Sequence, residues 1–98
     1  MIIDKEWLFD YFSEEDAYYL SSSLLFNEII IRFIGNLPRH VRGLITLDRE
    51  GRYNVYINNR LSQEATRDAI HHELDHILKN DLYSEHPVEE LENYLSGV

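Results

Sequence analysis

The chain has 98 residues, enough for one modest hydrophobic core and too few for two. An apolar content of 44% argues against global disorder, and the lack of cysteine excludes disulfides and thiolate metal sites. A net charge of −9 disfavours nonspecific nucleic-acid binding, and the longest apolar run, Ile29-Ile30-Ile31, is far too short to span a membrane.

At the N-terminus, Asp4, Lys5, Glu6 and Asp10 interrupt every apolar run, so no signal peptide is read there and a cytoplasmic location is expected. Asp4 to Phe12 predicts a short helix with an aromatic face of Trp7, Leu8, Tyr11 and Phe12. Ser13, followed by Glu14, Glu15 and Asp16, has the hydroxyl cap and first-turn acids of a second helix start. That helix is expected to run to about Phe26 and bury Ala17, Leu20, Leu24 and Leu25. Ile29 to Ile34 is rich in β-branched residues and predicts a strand, broken by Gly35-Asn36-Leu37-Pro38. Arg42 to Leu47 and Tyr53 to Asn58 predict two more strands, joined by a hairpin loop over Asp48 to Arg52. In the later strand Val55 and Ile57 alternate with Asn54, Tyr56 and Asn58, a half-buried pattern. Ser62 caps a helix from Gln63 to about Lys79, with Ala69, Ile70, Leu74, Ile77 and Leu78 on its apolar side. Asn80-Asp81 ends it. Pro87 suits the first turn of a last helix carrying Val88, Leu91 and Leu95 on one face. The expected architecture is a single α+β domain over residues 1–98: N-terminal helices, a three-stranded antiparallel sheet packed on the helix 63–79, and a C-terminal helix.

Charge is unevenly spread along this order. Residues 1–16 hold six acids and one Lys, and residues 81–98 hold five acids and no Lys or Arg. Between residues 29 and 61, Arg32, Arg39, Arg42, Arg49, Arg52 and Arg60 face only Asp48 and Glu50. The preferred reading is a solvated sheet face that balances acidic helices. The functional alternative is a basic surface that receives an acidic partner.

Chemistry concentrates in His72-Glu73-Leu74-Asp75-His76, an HExxH sequence. Residues four apart lie on one helix face, so His72 and His76 can hold one zinc ion together. Glu73 sits ~100° further round the helix, within reach of a water on that zinc. Zinc lowers the pKa of such a water, and Glu73 as general base can take its proton. A third protein ligand would complete a catalytic zinc site, and the last predicted helix offers Glu89, Glu90 and Glu92. Helical phase favours Glu92: it lies between Val88 and Leu95 and beside Leu91, on or next to the face that packs inward. Glu90 is ~200° away and Glu89 lies at the edge. Two His from one helix and a Glu from a later one is the zincin-like arrangement called gluzincin. His71, ~100° off the motif face, reads as a surface or supporting residue rather than a ligand. Asp81 is a candidate to orient a ligating imidazole, and Asp75 points differently. Tyr83, His86 and His40 are candidate oxyanion stabilisers.

Over residues 28–96 the chain resembles the ImmA/IrrE family of small zinc metallo-endopeptidases. The likeness rests on the isoleucine-rich strand, Leu37-Pro38, Arg42-Gly43, Tyr56-Ile57-Asn58 and Leu61-Ser62. It continues through Ile70-His71-His72-Glu73-Leu74-Asp75-His76-Ile77-Leu78, Asn80-Asp81 and Glu90-Leu91-Glu92-Asn93. Members are bacterial or phage proteins, and some cleave or otherwise inactivate a transcriptional repressor encoded beside them. The resemblance implies His72, His76 and Glu92 as ligands of Zn2+, with Glu73 as general base. Asp75 stands where the family usually has Gly or Ala, and Asn93 follows Glu92 where Ala is usual. Larger members continue beyond this region to complete the substrate cleft, so a short cleft is expected.

Three functions follow as expectations. The first is a zinc endopeptidase acting on a protein or peptide, a repressor among the candidates, which pairs with a sheet edge beside the zinc. The second is a non-catalytic binding protein or antirepressor of the same fold. The third is an acidic decoy that competes with nucleic acid for a basic partner. None calls for direct nucleic-acid or membrane contact.

Overall fold

The computed structural model describes residues 5–80. Across them the chain folds as α1 (Lys5–Tyr11), α2 (Glu14–Leu25), β1 (Ile29–Ile34), β2 (Gly43–Leu47), β3 (Tyr53–Asn58) and α3 (Gln63–Lys79). Both longer helices begin at the expected serines. The Ser13 hydroxyl accepts from the Asp16 backbone N–H and the Ser62 hydroxyl from that of Ala65, each satisfying a first-turn donor that the helix leaves open. α3 stops at Asn80, whose left-handed backbone (φ 56°) lets its N–H return to the carbonyls of His76 and Ile77. The expected C-terminal helix lies outside the described residues, as does Asp4 of the first.

The sheet differs from the expected antiparallel meander. Its order is β1-β3-β2, with β1 parallel to β3 and β2 antiparallel to β3. The β2–β3 hairpin forms as expected, closed by Asp48, whose carboxylate accepts from the backbone N–H groups of Glu50 and Arg52. β1 cannot pair with β2, because the link from Gly35 to Arg42 does not fold back on itself. It crosses the end of β3 and delivers β2 to the far side. Leu37 and Val41, both 1% exposed, anchor that link against Leu44, Ile34 and Tyr56 on one face of the sheet. Burial of these apolar side chains helps to hold the crossover in place.

The opposite face carries the main core. Ile29, Ile45, Val55 and Ile57 meet Leu8 of α1, Ala17 and Leu20 of α2, and Ala69, Ile70, Leu74 and Ile77 of α3. α2 packs on β1, while α3 packs on β3 and β2. Leu25, expected inside, is 75% exposed. It lies ~120° round α2 from the stripe of Ala17, Leu20 and Leu24, so the apolar sequence exceeds the apolar face. Asn54 and Asn58, read as solvent-facing, are also buried. The crossover covers one, and a polar chain from Arg32 through Asn54 to Asp48 covers the other. Among the described residues no helix is long and apolar enough to cross a membrane.

Candidate metal centre

α3 places the residues in and beside the HExxH sequence in three different environments. Its buried face carries Thr66, Ala69, Ile70, Glu73, Leu74 and Ile77. One flank carries His71, whose ring centroid lies 5.2 Å from that of Tyr11 and 4.9 Å from that of Phe12. The other flank, next to Ala69 and Glu73 in helical phase, carries His72 and His76. His71, expected at the surface or in a supporting role, instead packs against Tyr11 and Phe12 and ties the N-terminal helix to α3.

The two motif imidazoles converge. Their Nε2 atoms are 3.0 Å apart, and the rings meet edge-on at 89°. Two readings share that distance: an N–H···N hydrogen bond between imidazoles, or two nitrogens aimed at one cation. Ligands on a tetrahedral zinc at about 2.0–2.1 Å would stand roughly 3.3 Å apart, so these nitrogens fit zinc after a shift of a few tenths of an ångström. Neutral imidazole is a good ligand for that ion.

Glu73 is 5% exposed, at the boundary between the buried face and the histidine flank. Space for it is made by Gly43. A Cβ at Gly43 would lie 3.0 Å from the Tyr56 carbonyl oxygen, 3.1 Å from Ile57 Cδ1 and 3.3 Å from Glu73 Cγ. The glycine therefore lets the start of β2 close over the glutamate. This contact brings the histidine flank beside the edge strand β2 rather than beside β1.

Asp75 does not join the centre. Its carboxylate lies 2.8 Å from Lys79 Nζ, one helical turn on. The hydrogen bond from Lys79, reinforced by its charge, holds the Asp75 carboxyl below the usual aspartate range. An aspartate here therefore extends the exposed face of α3 and leaves the imidazole flank unobstructed.

Among the described residues no group of three or more His, Cys, Asp or Glu is placed to hold a metal. Glu92, with Glu89, Glu90, Asp81, Tyr83 and His86, lies outside the described residues. Of the expected site residues, His72 and His76 are brought together, and Glu73 lies nearly buried against Gly43 at the edge of their flank. Sequence reasoning missed Gly43 and Asn58 as residues that shape the site. The Asn58 side chain donates to the carbonyls of Pro38 and Val41 and accepts from the Arg60 N–H, fixing the chain that leads into Gly43. Gly43 was signalled by a glycine at a strand start, whereas the alternation of 53–58 placed Asn58 on the solvent side and gave no sign of its burial.

Comparison with family models, curated proteins and solved structures finds no match to this chain.

Proposed function

We propose that the chain is a zincin-like metallo-endopeptidase of the ImmA/IrrE type. His72 and His76 would hold Zn2+ with Glu92, and Glu73 would act as general base. The observation that carries this reading is the 3.0 Å approach of the two Nε2 atoms, beside a nearly buried Glu73 on the same helix. Zinc held there would supply Lewis-acid activation of water and of a peptide carbonyl. Glu73, held against β2 by Gly43, accepts the proton of the attacking water and can return it to the departing amine. β2 is an edge strand of the described sheet and adjoins the histidine flank, so an extended polypeptide pairing with its outer edge would pass the metal. A repressor-like protein is the substrate class that the resemblance suggests, and the bacterial cytoplasm is the matching compartment.

The test compares metal binding with proteolysis. Titration of the chelator-treated chain with zinc should give one site per chain and raise the melting temperature, and His72→Ala and His76→Ala should each abolish that rise. Glu73→Gln should keep the zinc-dependent rise and lose cleavage of a susceptible protein. Equal melting temperatures of the parent chain with zinc and with chelator would sink the metal reading. Zinc binding that confers no proteolysis would favour the non-catalytic reading, in which the same fold captures its partner without cutting it.

A further inference from the structure

One end of the sheet concentrates positive charge in an otherwise acidic protein. No Asp or Glu occurs from Ile29 to Leu47 or from Gly51 to Gln63. The fold gathers Arg39, His40 and Arg42 of the crossover with Arg60, which follows β3, at the end of the sheet where β2 begins. All four are exposed. They spring from a stitched piece of backbone. The Asn58 side chain holds Pro38, Val41 and Arg60, the Asn58 N–H donates to the Arg42 carbonyl, and the Asn59 N–H to that of Ile34. The Arg60 guanidinium donates to the Gly35 carbonyl at 2.6 Å, which fixes its place.

The opposite end of the sheet provides the contrast. There Arg52 is neutralised by Asp48 at 2.9 Å and Glu50 at 3.3 Å. Among the described residues Arg39, Arg42 and Arg60 form no ion pair. Arg42 directly precedes Gly43, the residue against Glu73, so this end adjoins the flank where His72 and His76 converge.

We propose that this arginine end selects the substrate: it takes Asp or Glu side chains of a polypeptide lying along β2. The inference rests on the peptidase reading for the location of the peptide, and it adds the substrate's chemistry. Guanidinium groups present a planar fork of donors that matches a carboxylate. A field of only three arginines on a chain of net charge −9 suits one or two carboxylates. A nucleic-acid backbone would be repelled by the remainder of the surface.

Fluorescence anisotropy on the full chain tests this. The probes are a labelled nonapeptide rich in Asp and Glu, the same peptide with Asn and Gln, and a labelled oligothymidylate. Binding is measured in chelator with the parent chain and in zinc with Glu73→Gln, so that cleavage does not interfere. The acidic peptide should bind about tenfold more tightly than its amide counterpart, and the difference should shrink as salt is raised. Arg39→Gln with Arg42→Gln should remove most of the preference and leave the zinc-dependent melting rise intact. Equal affinity for acidic and amide peptides on the unsubstituted chain overturns the proposal, whatever the variant's folding. Tighter binding of the oligothymidylate overturns it in favour of nucleic acid. An acidic-peptide affinity that appears only after Glu85, Glu89 and Glu90 are changed to Gln overturns it in favour of an intrachain partner. Acid preference without zinc binding would leave the arginine surface standing and remove the peptidase reading. Zinc-dependent cleavage without acid preference would do the reverse.

Discussion

Replacing Asn58 should loosen the crossover and with it the start of β2. The side chain is 1% exposed and makes three hydrogen bonds: to Pro38 O at 3.2 Å, to Val41 O at 3.0 Å and from Arg60 N at 3.1 Å. Each such bond contributes about 1 kcal/mol, and stranding a buried carbonyl costs about 1–3 kcal/mol. Two of the losses are softened. Pro38 O keeps the Val41 N–H, and the Arg60 N–H belongs to an exposed residue that water can reach. Asn58→Ala should therefore destabilise by about 2–3 kcal/mol once the vacated space is included. For a domain of this size that lowers the melting temperature by about 10–20 °C. Asn58→Asp sharpens the test. It keeps the acceptor for Arg60 but turns a carboxyl toward two carbonyl oxygens in a buried place, which raises its folded pKa above the unfolded value of about 3.9. Stability is then greatest below about pH 4, where the acid is protonated in both states, and falls as pH rises through the folded pKa. Thermal melts followed by circular dichroism from pH 3 to 8 measure both effects. An Asn58→Ala melting temperature within about 2 °C of the parent would show that the crossover is held by Leu37 and Val41 alone.

Gly43→Ala should destabilise by about 1–2 kcal/mol, because the new methyl meets the Tyr56 carbonyl, a group that cannot swing away, as well as Ile57 and Glu73. The same substitution should cut peptide cleavage more than it cuts zinc affinity, since it displaces the base and not the imidazoles; equal losses of both would count against the placement of Glu73. Asp48 supplies a pH effect of the opposite sign to Asn58→Asp. The Arg52 backbone N–H, then the Arg52 and Asn54 side chains, hold its carboxyl below the usual range, so its contribution is present above about pH 4 and is lost as pH falls through the depressed folded value. Asp48→Asn should accordingly flatten the acid limb of the stability curve, and an unchanged limb in the same melts would remove Asp48 from that account.

The local elements were legible because short-range chemistry specifies them. Hydroxyl caps at Ser13 and Ser62 set the helix starts, and the β-branched run at 29–34 and the alternation at 53–58 set two of the strands. The loop from Asp48 to Arg52 carries its own Asx turn. Sheet order was less legible. A strand's alternation reports which face is wet and says nothing about which neighbour it pairs with. The link from Gly35 to Arg42 read as an ordinary breaker, yet Leu37 and Val41 were the clue, since two large apolar residues in a polar link need a surface to cover. The convergence of His72 with His76 followed from a helical spacing of four. The burial of Glu73 did not, because it depends on a strand that meets α3 only in the folded chain.

His71 and Glu73, two residues apart on α3, face nearly opposite walls, and that fixes the rotational phase of the helix. His71 is seated between the rings of Tyr11 and Phe12 on one side, and Glu73 is seated under Gly43 on the other. A helix gripped on both sides cannot turn about its axis without dislodging one of the two. Side-chain tips ride about 5–6 Å from that axis, so the ±0.2 Å tolerance of a metal–nitrogen bond corresponds to a turn of only about 2°. Tyr11 and Phe12, which touch neither motif histidine in the ring contacts described, thereby act as an angular stop for the pair.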